Sequence, residues 1–216
     1  MLSPNPIETE LTTGVTDALL GVLCAGLAIA LVLLPTNDVW KRNLWLAALV
    51  CMAVGAFLGA AAHGLVLSES AKTLIWKPLY LSLGVAVALV AVGAWYDWAG
   101  LESARRLLPW AMVVALIFFA ATQLLGGSFA IFLVFEGVAI IVALVIYILL
   151  AMKGTLPGAS VVAVGIALSV VAAVVQASSL TLTLRWQLDH NGLFHLIQMV
   201  AIIIMSAGIR ASLTGR

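Results

Sequence analysis

The chain has 216 residues, of which 64% are hydrophobic and only 9% charged, and its net charge is +1. Apolar runs of about 20 residues that carry almost no charge exclude an ordinary soluble domain, whose helices keep a polar face toward water. The absence of a basic cluster argues against nucleic acid as a partner, and two cysteines without a CxxC spacing argue against a zinc ribbon or a redox pair.

Met1 to Thr13 is polar, with Glu8 and Glu10 and no Lys or Arg. It lacks the basic start of a secretory signal peptide, so the first span is expected to remain in the mature protein. Apolar runs between polar or glycine breaks predict helices at roughly 14–34, 44–67, 75–97, 106–125, 128–152, 158–184 and 193–213, each long enough for a hydrocarbon core of about 30 Å. The expected fold class is all-α: one polytopic seven-transmembrane-helix bundle over residues 1–216, with short linkers at Pro35 to Asn43, Ser68 to Thr73, Gly126 to Ser128 and Lys153 to Pro157.

Basic residues predict the orientation. Lys41, Arg42, Arg105, Arg106, Lys153, Arg210 and Arg216 fall on the C-terminal side, against Lys72, Lys77 and Arg185 on the other, which places the N-terminus outside and the C-terminus in the cytoplasm. Trp40, Trp45, Trp95, Trp98 and Trp110 then mark the inner interface, and Trp76 and Trp186 the outer. The expected location is a bacterial cytoplasmic membrane, with membrane lipids as the surrounding partners.

With that topology the intramembrane polar residues fall in the outer leaflet. Asp17 opens the first span, His63 closes the second, Lys77 and Tyr80 open the third, and Gln123 closes the fourth. Glu136 lies roughly 12 Å into the fifth, Gln176 nears the outer end of the sixth, and His190, His195 and Gln198 attend the head of the seventh. Small residues at helical spacing, such as Gly55 and Gly59 before His63, turn these side chains toward the bundle interior and suit contacts between copies of the chain equally well. Polar groups in hydrocarbon either join helices through hydrogen bonds or serve a site. Glu136 and Asp17 are the candidate acid–base groups, while Tyr80, Lys77, Gln123, Gln176 and Gln198 are the candidate contacts to a lipid-like substrate.

Imidazole is the commonest metal-ligating side chain, so His63 and His195 are candidate ligands, with His190 or Glu136 as a third. His190 and His195 lie five apart, about 140° around a continuous helix, so both face one ion only if His190 sits in a non-helical entry turn. A histidine late in the second span and histidines at the head of the seventh, with the N-terminus on the side of the site, resemble the superfamily of alkaline ceramidases, adiponectin receptors and haemolysin-III-like proteins. That resemblance implies zinc between these helices and hydrolysis of lipid amides. The superfamily's serine four residues before the helix-two histidine is Gly59 here, its second helix-seven histidine falls at Asn191, and its helix-three aspartate has no counterpart. The words Thr16-Asp17-Ala18-Leu19-Leu20, Ala62-His63-Gly64 and His190-Asn191-Gly192-Leu193-Phe194-His195-Leu196-Ile197-Gln198 also resemble a bacterial seven-span family, a likeness that implies no activity.

The leading expectation is a zinc-dependent intramembrane hydrolase of a lipid amide or ester, the ion activating a water whose proton passes to Glu136 or Asp17. The alternatives are a non-enzymatic lipid- or haem-binding protein or sensor, a proton-coupled transporter, and a subunit whose polar residues only order the bundle.

Overall fold

Long runs of Leu, Ile, Val and Ala favour helix wherever no glycine or polar cluster interrupts them. The computed structural model describes residues 3–125, 129–183 and 185–215, and the expected Gly126 to Ser128 linker and Arg216 lie outside the described residues. Its helices are α1 Glu8–Val32, α2 Val39–Gly64, α3 Glu69–Leu124, α4 Phe129–Lys153, α5 Ala159–Gln176 and α6 His190–Thr214. All six are long and apolar enough to cross a membrane.

Six helices stand where seven were expected, because the third and fourth predicted spans belong to one 56-residue element. Straight, it would measure about 84 Å, far beyond one hydrocarbon core. It is bent at Gly100, whose φ of 82° and ψ of 174° suit only glycine. The two arms fold back on one another: Trp95 Nε1 donates to Ser103 Oγ at 2.8 Å, and Tyr80 meets Phe118 with ring centroids 6.5 Å apart. A single residue thus replaces the loop expected between 97 and 106. An alanine methyl at Gly100 meets nothing within 4 Å, so the whole penalty of Gly100→Ala is conformational. The variant is expected to lose about 1–3 kcal/mol of stability, read as a lower melting temperature, whereas an unchanged transition would contradict the strained turn.

The helices form a closed ring, each packing against the next in sequence and α6 returning to α1. Small residues bring the seams together. A Cβ at Gly14 would lie 2.6 Å from the Gly64 backbone, and one at Gly165 2.7 Å from the Met205 nitrogen. Trp45, expected at an interface, is instead 1% exposed and packs closely against Gly93.

The sixth predicted span, 158–184, ends early, at Gln176. Ser178 Oγ donates to the Val175 carbonyl at 2.6 Å, and the alternating Leu-Thr pattern that follows is strand-like, so Leu182–Thr183 (β1) pairs antiparallel with Gln187–Leu188 (β2). This hairpin rests on the start of α1, where Thr12 Oγ1 donates to the Gln187 carbonyl at 2.8 Å and the Gln187 N–H donates to Glu8 Oε1 at 3.1 Å. The segment before α1 is tied down as well: the Asn5 N–H donates to the Gly64 carbonyl and the Val66 N–H to the Ser3 carbonyl, both at 2.9 Å.

Candidate functional site

The ring encloses a cavity of about 900 Å³ at the end of the bundle where α1 begins. All ten residues singled out in the sequence line it: Asp17, His63, Lys77, Tyr80, Gln123, Glu136, Gln176, His190, His195 and Gln198. Lys77 and Gln123 are exposed, whereas Asp17, Tyr80, His195 and Gln198 are buried. The deeper walls are apolar, among them Leu83, Val87, Val90 and Ile140. An aromatic ladder runs from His63 to Trp76 (5.7 Å between centroids), Tyr80 (5.6 Å), Phe118 (6.5 Å) and the stacked Phe135 (4.6 Å).

His195 is held by α1 on both ring nitrogens. Its Nδ1 lies 3.0 Å from Thr16 Oγ1 and its Nε2 3.1 Å from Asp17 Oδ1. With the Thr16 hydroxyl proton directed to the Thr13 carbonyl at 2.9 Å, Thr16 accepts from the imidazole and Nδ1 carries a hydrogen. One proton then remains in the Nε2–Asp17 bond, and the pair is neutral overall whichever partner holds it. Gly59 makes room for this carboxyl: a Cβ there would lie 2.7 Å from Asp17 Oδ2.

These contacts test whether the histidines fit a metal. His195 has no free lone pair, and His63 Nδ1 is engaged by Glu10 Oε2 at 2.8 Å. His190 is not in an entry turn but is the first residue of α6, behind the Asp189 cap, so it points about 140° away from His195. Among the described residues no group of three His, Cys, Asp or Glu side chains is placed to hold an ion. The expected ligand set of His63, His195 and His190 or Glu136 is therefore not gathered around one ion in this arrangement. Thr16, Asp17 and Glu10, all on α1, take up the imidazoles first.

Glu136 and Gln176 differ from the rest. Glu136 Oε2 and Gln176 Oε1 are buried and, among the described residues, have no hydrogen-bond partner. Each residue lies 17 positions from the opposite end of its helix, Lys153 in α4 and Ala159 in α5, which sets both at one level about 26 Å above that end. A family model described as a family of unknown function (DUF6962) matches residues 12–214. The chain belongs to this family. No curated protein and no solved structure matches it.

At the opposite end of the DUF6962 bundle lies a second buried polar cluster that the sequence reading did not find. Lys41 Nζ donates to Asp97 Oδ1 at 2.5 Å and to Ser212 Oγ at 2.7 Å, and Tyr147 donates to Asp97 Oδ2 at 2.7 Å. The Lys41 and Asp97 side chains are only 2% and 3% exposed. Beside them Tyr96 donates to Asp38 Oδ2 at 2.6 Å and stacks on Trp40. The cluster joins α2, α3, α4 and α6, and it removes Lys41 from the loop charges on which the orientation was read.

Asp189 caps α6, accepting from the Gly192 N–H at 2.9 Å and from Thr13 Oγ1 at 2.9 Å. Partial burial pushes its carboxyl up, but these hydrogen bonds, the neighbouring His190 and Asn191 outweigh it and hold the group below the usual carboxylate range. Because the folded value is the lower one, its contribution is present above the ordinary pKa near about 3.9 and is lost as pH falls through the depressed folded value. Asp189→Ala is expected to cost about 1 kcal/mol at neutral pH, a gap in melting temperature that closes in acid. A gap that widens in acid would contradict the assignment.

Proposed function

We propose that this DUF6962 protein is a membrane-embedded binding protein that admits a lipid-like amphiphile to the cavity between its helices. The observation that carries the reading is one cavity of about 900 Å³ whose walls are apolar below and whose upper lining gathers every polar side chain singled out in the sequence. That volume and that division suit a hydrocarbon body with a polar head. In this reading the two arms of α3 cross separately, which makes seven crossings. The N-terminus and the cavity mouth face outward, the C-terminus faces the cytoplasm, and the host membrane is a bacterial cytoplasmic membrane.

A photoactivatable alkyl diazirine tests the occupant. Adducts are expected on cavity residues such as Leu83, Val87 and Ile140, and an excess of unlabelled amphiphile should suppress them. Adducts confined to outward-facing residues such as Val134 and Val138, which are 69% and 65% exposed, would sink the reading. A green fluorescent protein fused after Arg216, which fluoresces only in the cytoplasm, tests the orientation.

Hydrolysis of a lipid amide or ester is the second reading, favoured by one observation: the Asp17–His195 pair keeps a transferable proton at the cavity wall. Release of labelled fatty acid by wild type but not by Asp17→Asn supports it, and no release from either removes it.

A further inference from the structure

Pairing inside the cavity is incomplete, and Glu136 is where it fails. Asp17 and His195 form a pair that is neutral as a unit, His63 is matched by Glu10, and His190 adjoins the Asp189 carboxylate. Lys77, the cation in the lining, is exposed at the rim and forms no ion pair with Glu136. Glu136 therefore has no cation among the described residues, and its Oε2 has no donor of any kind. A lone carboxylate among apolar helices is costly, and such groups in membrane spans persist where they meet a partner.

Gln176 sharpens what the partner must be. Its Oε1 is a second buried acceptor without a donor, on the neighbouring helix and level with Glu136 along the bundle. Two unfilled acceptors, one of them a carboxylate, call for a group with several hydrogens and a positive charge. An ammonium offers three donors and no acceptor, whereas a hydroxyl brings one donor and a carboxylate none. Below Glu136 the wall is Ile140, Val87 and Val90, so the rest of the guest is hydrocarbon.

Building on the amphiphile reading above, we propose that the guest is a primary amine on a hydrocarbon chain, its ammonium paired with Glu136 and donating also to Gln176. The amine neutralises the buried charge and the chain fills the apolar floor, so neither half of the guest binds as well alone.

The test uses the full chain in phosphatidylcholine nanodiscs, with tritiated dodecylamine, dodecanol and dodecanoic acid as probes and empty nanodiscs as the blank. Dodecylamine is expected to bind saturably, one per chain, and more tightly than dodecanoic acid. Glu136→Gln, which keeps the shape and removes the charge, should weaken amine binding by about tenfold or more and leave dodecanol within about twofold. Wild-type amine affinity in Glu136→Gln, or dodecanoic acid binding as tightly as the amine, would overturn the head-group assignment while leaving the cavity reading in place. Saturable binding by none of the three probes would overturn both. The preference of wild type for amine over acid needs no variant, so the inference is decided even if Glu136→Gln does not fold.

Discussion

Asp97→Ala is expected to destabilise the protein by about 3–5 kcal/mol, a larger loss than that of Gly100→Ala or Asp189→Ala, because it leaves the Lys41 ammonium, 2% exposed, without its counter-ion. Ser212 Oγ at 2.7 Å would then be the main remaining partner of Lys41 Nζ, and the Tyr147 hydroxyl would lose its acceptor. Removing both charges is a different experiment. Lys41→Met with Asp97→Leu replaces the pair by apolar volume and is expected to recover most of the loss. Thermal unfolding in detergent checks both variants. If Asp97→Ala melts with wild type, or if the double variant is worse than the single one, the pair does not hold the bundle in the way described.

Gly59→Ala is the second change expected to have a large effect, and its target is the cavity. The added methyl would lie 2.7 Å from Asp17 Oδ2 and 2.9 Å from Asp17 Cγ, closer than such atoms approach, so the carboxyl must turn away. Turning breaks the 3.1 Å contact to His195 Nε2 and leaves a buried imidazole half satisfied, at a cost of about 1–3 kcal/mol. Nitrogen NMR of labelled histidine should show the Nε2 resonance of His195 shift while that of His190 stays in place. Retained melting and unmoved His195 resonances would contradict the pairing.

The cavity was legible in the sequence because polar side chains are scarce in apolar runs. Asp17, His63, Glu136, Gln176 and His195 stand out from their neighbours, and helix depth alone placed them at one level. What each does was not legible. Thr16 and Glu10 fix the roles of His195 and His63, and a threonine or a glutamate near the start of a span carries no mark of the ring it will meet 179 or 53 residues away. The Lys41–Asp97 pair was hidden for a different reason. Lys41 lies next to Arg42 in a polar stretch that looks like any charged linker, and only the fold shows that it turns inward onto Asp97. The reversal inside α3 was expected, as a loop between 97 and 106 rather than as the single residue Gly100. One signal was present and outweighed by span length: Leu180-Thr181-Leu182-Thr183 alternated with a period of two where helix was expected.

The aromatic ladder gives the protein a built-in optical reporter. Trp76 stands in the cavity wall, 5.7 Å from the His63 ring and 5.6 Å from that of Tyr80, and it is the one tryptophan among the residues that line the cavity. Subtracting the emission of Trp76→Phe from that of wild type isolates its signal from the other six indoles. Any guest that enters changes the polarity around that single indole, so occupancy can be followed by its emission colour, without a dye and without knowing in advance what the guest is.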